Sequence, residues 1–231
     1  MKTTDLKSIK SIVLSFLYFD IEETEFSPIV VTHPIFESGI VMLPNSNKPY
    51  NILEDEDAYN EIIECYKNRI DKANSIDTLF YMIRKSYKLT FIKFIETYLS
   101  IEDLSTLLAE AWTSSENPNQ DVNVSLAQLT RMFKKTNKKY LMTDEEYEIY
   151  NNLPETFTVY RGVASGRNAK GMSWTQNLEV AEWFANRFNY GNKGYIQRAT
   201  ANKKDVLAYF NRRDEDEIVI NVKNLNDICI L

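Results

Sequence analysis

The chain has 231 residues, 44% hydrophobic and 13% aromatic, which is ample for a core in one large domain or a domain with an appendage. Its 27 basic and 33 acidic residues leave a net charge of −6, so a soluble globular protein is expected, with no general attraction to nucleic acid or to an anionic membrane. Cys65 and Cys229 are the only cysteines and His33 the only histidine, which argues against a disulfide framework, a metal site and Cys–His or Ser–His catalysis.

The first apolar run, Ile12 to Phe19, follows Lys2, Lys7 and Lys10. It is too short to span a bilayer and leads into Asp20-Ile21-Glu22-Glu23 without a small-residue cleavage site. We read it as an amphipathic helix or a buried strand, and expect a cytoplasmic protein, in a bacterial or host cell, without signal peptide or transmembrane helix. Phe26 to Leu43 alternates apolar runs with Pro28, Pro34 and Gly39, which predicts two short strands joined by a tight turn. His33 lies there and suits a hydrogen-bonded structural role better than catalysis. Pro44 to Pro49 marks a boundary, separating an N-terminal extension over 1–49, of unknown role, from a domain over 50–231.

From Leu53 to Tyr150 the periodicity is helical, and at least four helices are expected. Ile62, Ile63, Tyr66 and Ile70 form one apolar stripe, and Leu79, Met82, Ile83 and Ser86 mark another. Ser75 and Ser100 suit N-caps, while Ser125-Leu126-Ala127-Gln128 and Thr143-Asp144-Glu145-Glu146 have capping-box spacing. Phe80, Met82, Trp112, Phe133 and Tyr150 are assigned to the core. The polar stretch Ser114 to Val122 reads as a loop. After Pro154 strands are predicted at Phe157–Tyr160, Gly194–Arg198, Val206–Phe210 and Ile218–Val222, with a helix from about Leu178 to Phe188. Helices over 50–150 followed by mostly antiparallel strands over 155–231 make an α+β protein.

Three short pieces carry the chemistry: Tyr160-Arg161-Gly162, Ser173-Trp174-Thr175, and Glu215-Asp216-Glu217 opening Glu-Asp-Glu-Ile-Val-Ile. Strand alternation would put Glu215 and Glu217 on one face, like charges that need a cation opposite, for which Arg161 is a candidate. Ser173 follows Arg161 by 12 residues and Glu217 follows Ser173 by 44. In this order the pieces resemble the motifs of the arginine-directed mono-ADP-ribosyltransferases, over about the last third of the chain, Val159 to Ile220. The general layout also looks like phage- or prophage-encoded, toxin-like members of that superfamily that modify host proteins.

The resemblance implies an ADP-ribosyltransferase-like fold, a helical lobe followed by a two-sheet NAD-binding core. It also implies transfer of ADP-ribose from NAD to an arginine of an acceptor protein, with no metal and with nicotinamide released. Nicotinamide leaves as a neutral molecule from a cationic ring, so no general acid is needed, and what wants stabilising is positive charge on the ribose. By resemblance Glu217 does this through the ribose 2′-hydroxyl, Glu215 orients or deprotonates the acceptor, and Ser173 fixes Glu217. Arg161 would grip the pyrophosphate, as a planar guanidinium can. Thr175 would support the cleft, with Trp174 pointing to the core, and Gly162 and Gly171 would allow close approach of backbone to NAD. Phe184, Phe188 and Tyr190 are candidates to stack on nicotinamide, and Asn189 to Gly194 suits a mobile loop over it. Arg212 and Arg213 would face the acceptor, although the resembled toxins often carry an exposed aromatic where Arg212 stands. An NAD glycohydrolase, a non-catalytic nucleotide- or partner-binding domain and a nucleic-acid ADP-ribosyltransferase are the alternatives.

Overall fold

The computed structural model describes residues 2–25, 27–115, 118, 122–187 and 193–231. They form two compact units, Met1–Asp103 and Leu104–Leu231. The boundary expected at Pro44 to Pro49 therefore falls inside the first unit, and the helical stretch 50–150 is shared between both.

In the first unit, α1 (Leu6–Leu17) is capped by Asp5, whose side chain accepts from Ser8 N, and buries Ile9, Val13, Phe16 and Leu17. Those positions make one helical stripe, so the initial apolar run is a helix. Two small antiparallel hairpins follow, β1 (Glu22–Thr24) with β2 (Ser27–Thr32) and β3 (Ile40–Met42) with β4 (Pro49–Asn51). The two predicted strands thus exist but pair with neighbours on their outer sides, and one bridge, Val30 to Ser38, is what remains of the expected tight turn. His33 is fully buried, and its Nδ1 accepts from Ile35 N and Phe36 N, each at 3.0 Å. Arg84 Nη1 donates to Val31 O at 2.7 Å and Phe36 O at 3.0 Å, holding the same loop. Helices α2 (Glu56–Lys72), α3 (Ile76–Phe80, capped by Ser75) and α4 (Lys88–Ile95) complete the unit up to the start of α5 (Ile101–Ser114).

The second unit takes most of α5, then α6 (Leu126–Lys135), α7 (Lys138–Leu141) and α8 (Asp144–Asn152). Both capping boxes are formed, at Ser125 with Gln128 and at Thr143 with Glu146. Ser114 to Val122 lies largely outside the described residues. Six strands follow: β5 (Thr156–Val163), β6 (Ser173–Thr175), β7 (Tyr195–Asn202), β8 (Val206–Phe210), β9 (Glu217–Ile220) and β10 (Asn226–Ile230). Helix α9 (Leu178–Asn186) leaves β6 through an Asn177 cap. The strands make one sheet in the order β10-β7-β5-β6-β9-β8, with every neighbouring pair antiparallel. The α+β class is as expected, but the strands hydrogen-bond as one sheet where two were expected.

That sheet is nearly two. β5 and β7 pair over eight residues, whereas β5 meets β6 through the single pair Tyr160–Thr175. The halves β10-β7-β5 and β6-β9-β8 are therefore joined by very little backbone ladder. Helix α9 covers β5 so closely that a Cβ on Gly162 would lie 2.0 Å from Ala181 O and 2.5 Å from Ala185 N. The close approach expected at Gly162 is thus to a helix backbone. Among the described residues no helix is long and apolar enough to cross a membrane.

Candidate active site

One open cleft in the second unit is lined by Arg161, Gly162, Ser173, Thr175, Phe184, Arg213, Glu215 and Glu217, all singled out in the sequence, and also by Arg167, Asn168 and Arg187. Its void, open solvent at the mouth included, is about 970 Å³. Phe188 and Tyr190 lie outside the described residues, as does most of Asn189 to Gly194.

Glu217 opens β9 and pairs in register with Thr175, which pairs on its other side with Tyr160. Glu217 is 7% exposed. Its Oε1 accepts from Trp112 Nε1 at 3.0 Å, and Ser173 also hydrogen-bonds its side chain. Ser173 faces Val219, two residues along β9, which brings it diagonally beside Glu217 on the same sheet face. Burial raises the Glu217 pKa, and Glu215 adds to this. The hydrogen bonds from Ser173 and Trp112, and the charge of Arg213, oppose it. The carboxylate is thus desolvated and held by two donors, an arrangement suited to stabilising an adjacent cation.

Glu215 precedes β9 rather than belonging to it. Asp214 and Asp216 have φ of 56° and 46°, the left-handed region, so simple strand alternation does not carry from Glu215 to Glu217. The turn achieves by its own geometry what alternation was expected to do, since both glutamates line the cleft. Asp216 turns to Tyr209, whose hydroxyl donates to it at 2.6 Å, and its backbone N donates to Asn211 Oδ1 at 3.0 Å. Glu215 Oε2 receives Arg213 Nη2 at 2.9 Å. The charges of Arg161 and Arg213 both act on Glu217, so Arg213 is a cationic neighbour of both carboxylates.

Arg161 is committed to its own fold. Its Nη1 donates to Ser173 O at 2.6 Å and its Nη2 to Asn168 O at 3.0 Å, while its buried Nε has no partner among the described residues. A Cβ on Gly171 would sit 2.2 Å from Nη2, so that glycine makes room for the guanidinium. Burial lowers the Arg161 pKa to about 10, which leaves it charged at neutral pH. Thr175 Oγ1 accepts from Asn177 N at 3.1 Å, tying the end of β6 to the cap of α9. Trp174 is buried and donates through Nε1 to Gly171 O at 3.1 Å.

Arg212 turns away from the cleft. Its Nε lies 3.7 Å from Glu146 Oε1 and its guanidinium 5.6 Å from the Phe210 ring centroid. Glu146 is 4% exposed, and Asn211 N donates to the same Oε1 at 2.9 Å while Oε2 serves the Thr143 capping box. Sequence reasoning missed two contributors, Trp112 and Glu146. Trp112 sits in the apolar stripe of α5 and has no local mark of a partner 105 residues away. Glu146 was legible as a cap, but the use of its second oxygen to hold the β8–β9 turn was not. Compared with protein-family models, curated proteins and solved structures, the chain matches none.

Proposed function

We propose that this chain is a mono-ADP-ribosyltransferase that transfers ADP-ribose from NAD to an arginine of an acceptor protein and releases nicotinamide. The observation that carries the reading is the buried Glu217 carboxylate, held by Ser173 and Trp112 in a cleft that also presents Glu215 and Arg213. The near-division of the sheet at Tyr160–Thr175 supports an ADP-ribosyltransferase-like core, in which two half-sheets flank the dinucleotide.

Glu217 accepts a hydrogen bond from the ribose 2′-hydroxyl and stabilises the oxocarbenium character that develops as the bond to nicotinamide breaks. Glu215 orients the acceptor guanidinium and takes its proton. Arg161 contributes charge beside Ser173 and fixes the wall of the cleft, with its Nε the one of its donor atoms not engaged among the described residues. Phe184, which lines the cleft from α9, is the aromatic assigned to stack on nicotinamide. The acceptor is a protein of the host cell, in keeping with a phage-encoded modifier acting in the cytoplasm.

The test is incubation with labelled NAD and a cell lysate, followed by mass spectrometry of the labelled proteins. Glu217→Gln is expected to lower both transfer and NAD hydrolysis by on the order of 10²–10³. Glu215→Gln is expected to remove transfer while leaving hydrolysis measurable, because water needs less activation than a guanidinium. Equal loss of both activities in the two variants would contradict this division of labour, and absence of nicotinamide release from the parent chain would sink the assignment.

A further inference from the structure

We propose that Lys138 is a positioning residue: by holding a bulge in β8, it sets the β8–β9 turn that carries Arg213 and Glu215. This rests on the transferase reading above and adds to it a residue, outside the lining of the cleft, on which transfer depends more than NAD cleavage does.

β8 is the last strand on its side of the sheet, so its outer backbone groups have no neighbouring strand. Side chains from α7 and α8 serve them instead. Lys138 Nζ donates to Val206 O at 2.8 Å and to Leu207 O at 3.0 Å. Met142 Sδ accepts from Tyr209 N at 3.4 Å, and just past the strand Glu146 Oε1 accepts from Asn211 N at 2.9 Å.

Lys138 grips β8 where its register changes. Val206 faces Ile220 and Ala208 faces Val219, so Leu207 is one residue more than β9 supplies. Beyond it Tyr209 faces Ile218 and Phe210 faces Glu217. β9 is not free to follow a slip, because Glu217 is also paired with Thr175 of β6. Without the extra residue, the register of Val206 and Ile220 carried forward sets Tyr209 against Glu217 and moves each side chain after Val206 to the other face. Phe210, 2% exposed, would leave the core for the turn, and the bond from Tyr209 to Asp216 would be lost. The bulge therefore decides where Arg213 and Glu215 stand, whereas Glu217 is held from β6, Ser173 and Trp112.

A lysine is a demanding way to fill this position. Burial lowers its pKa to about 8, and the Tyr150 ring faces the charge with its centroid 4.4 Å away. An apolar residue would avoid the desolvation. It could not hold two successive carbonyls, which takes a group with more than one hydrogen to donate.

The experiment follows NAD hydrolysis and modification of agmatine, a small guanidine acceptor, side by side in the full chain. In Lys138→Met, which fills the space without donors, the ratio of transfer to hydrolysis is expected to fall on the order of 10²-fold, the loss that a small misplacement of a reacting group brings. Lys138→Arg keeps the charge and several donors and is expected to hold the parent ratio. Hydrogen exchange gives a second reading that needs no turnover: the Asn211 and Asp216 amides should exchange faster in Lys138→Met, with those of Val219 and Ile220 unchanged. Transfer and hydrolysis falling together in Lys138→Met, or a ratio and turn exchange that match the parent, would overturn the inference. If that variant does not fold, Tyr150→Leu, which removes the ring from the ammonium and leaves its donors, is read by the same two measurements, with changes in the same direction expected. A parent chain that neither hydrolyses NAD nor modifies agmatine would remove the transferase reading, while the exchange result still decides whether Lys138 holds the turn.

Discussion

Replacing Trp112 by Phe removes one hydrogen-bond donor from Glu217 while keeping an aromatic ring against Phe133, whose centroid lies 5.2 Å from that of Trp112. The bond lost is buried, 3.0 Å between a fully buried indole and a carboxylate that is 7% exposed. Hydrogen bonds to charged groups contribute about 1.5–3 kcal/mol, or a factor of roughly 10–150 in an equilibrium. Burial already raises the Glu217 pKa, and without the indole N–H that rise is opposed by one donor fewer. On the proposed mechanism the ionised form is the one required, so the acid limb of the pH–rate profile for NAD hydrolysis should move to higher pH. At alkaline pH, where Glu217 is ionised in both proteins, the two rates converge. Phe133→Leu is the control, since it loosens packing around Trp112 without touching the carboxylate, and it should cost stability while leaving the acid limb in place. A Trp112→Phe profile scaled down equally at every pH would refute the reasoning and return Trp112 to a packing role alone.

Gly162→Ala would put a methyl 2.0 Å from Ala181 O, a backbone atom that moves only if α9 moves. A cost of about 1–3 kcal/mol or more is expected, against a smaller one for Gly166→Ala, where φ is +74° but nothing lies within 4 Å. Thermal melting of both variants checks this, and equal losses would argue against the close packing of α9 on β5. In the first unit, burial holds the His33 pKa down to about 4, so the folded state stays neutral while the unfolded chain takes up a proton below about pH 6.5. Stability is therefore lost as pH falls from 6.5 toward 4, by on the order of 3 kcal/mol across the window. His33→Asn keeps an acceptor for the Ile35 and Phe36 amides without titrating there, so its stability gap from the parent should narrow over that range; a constant gap in chemical denaturation would contradict it.

What was legible in the sequence was mostly local. Ser125 with Gln128 and Thr143 with Glu146 announced their helices because a capping box is closed within four residues. The stripe along α2 was read because burial imposes a period on neighbouring positions, and Val206–Phe210 because it is an unbroken apolar run, while the strand expected at Ile218–Val222 lies at Glu217–Ile220. Pairing was harder, because nothing in Ile40–Met42 states that its partner is Pro49–Asn51 beyond two prolines. β10 was missed because it is short, with only Ile228 and Ile230 to mark it, and all five of its residues are exposed. At the site, motif order brought Arg161, Ser173, Glu215 and Glu217 into view. The left-handed turn at Asp214 and Asp216, the Trp112 donor and the Glu146 anchor depend on contacts that have no signature in their own neighbourhoods.

The bond from Arg161 to the Ser173 carbonyl runs from β5 to β6, across the seam where the backbone supplies one residue pair. Selection would then act on Arg161 and Glu217 in opposite ways. A descendant of this chain that had abandoned catalysis would still be held to Arg161, because losing it would unfasten the two half-sheets. It would be released from Glu217, a buried carboxylate whose charge the fold has to tolerate. On the proposed mechanism, retained Glu217 among related sequences is therefore the mark of a working enzyme, whereas retained Arg161 marks only a sheet that still needs its weld.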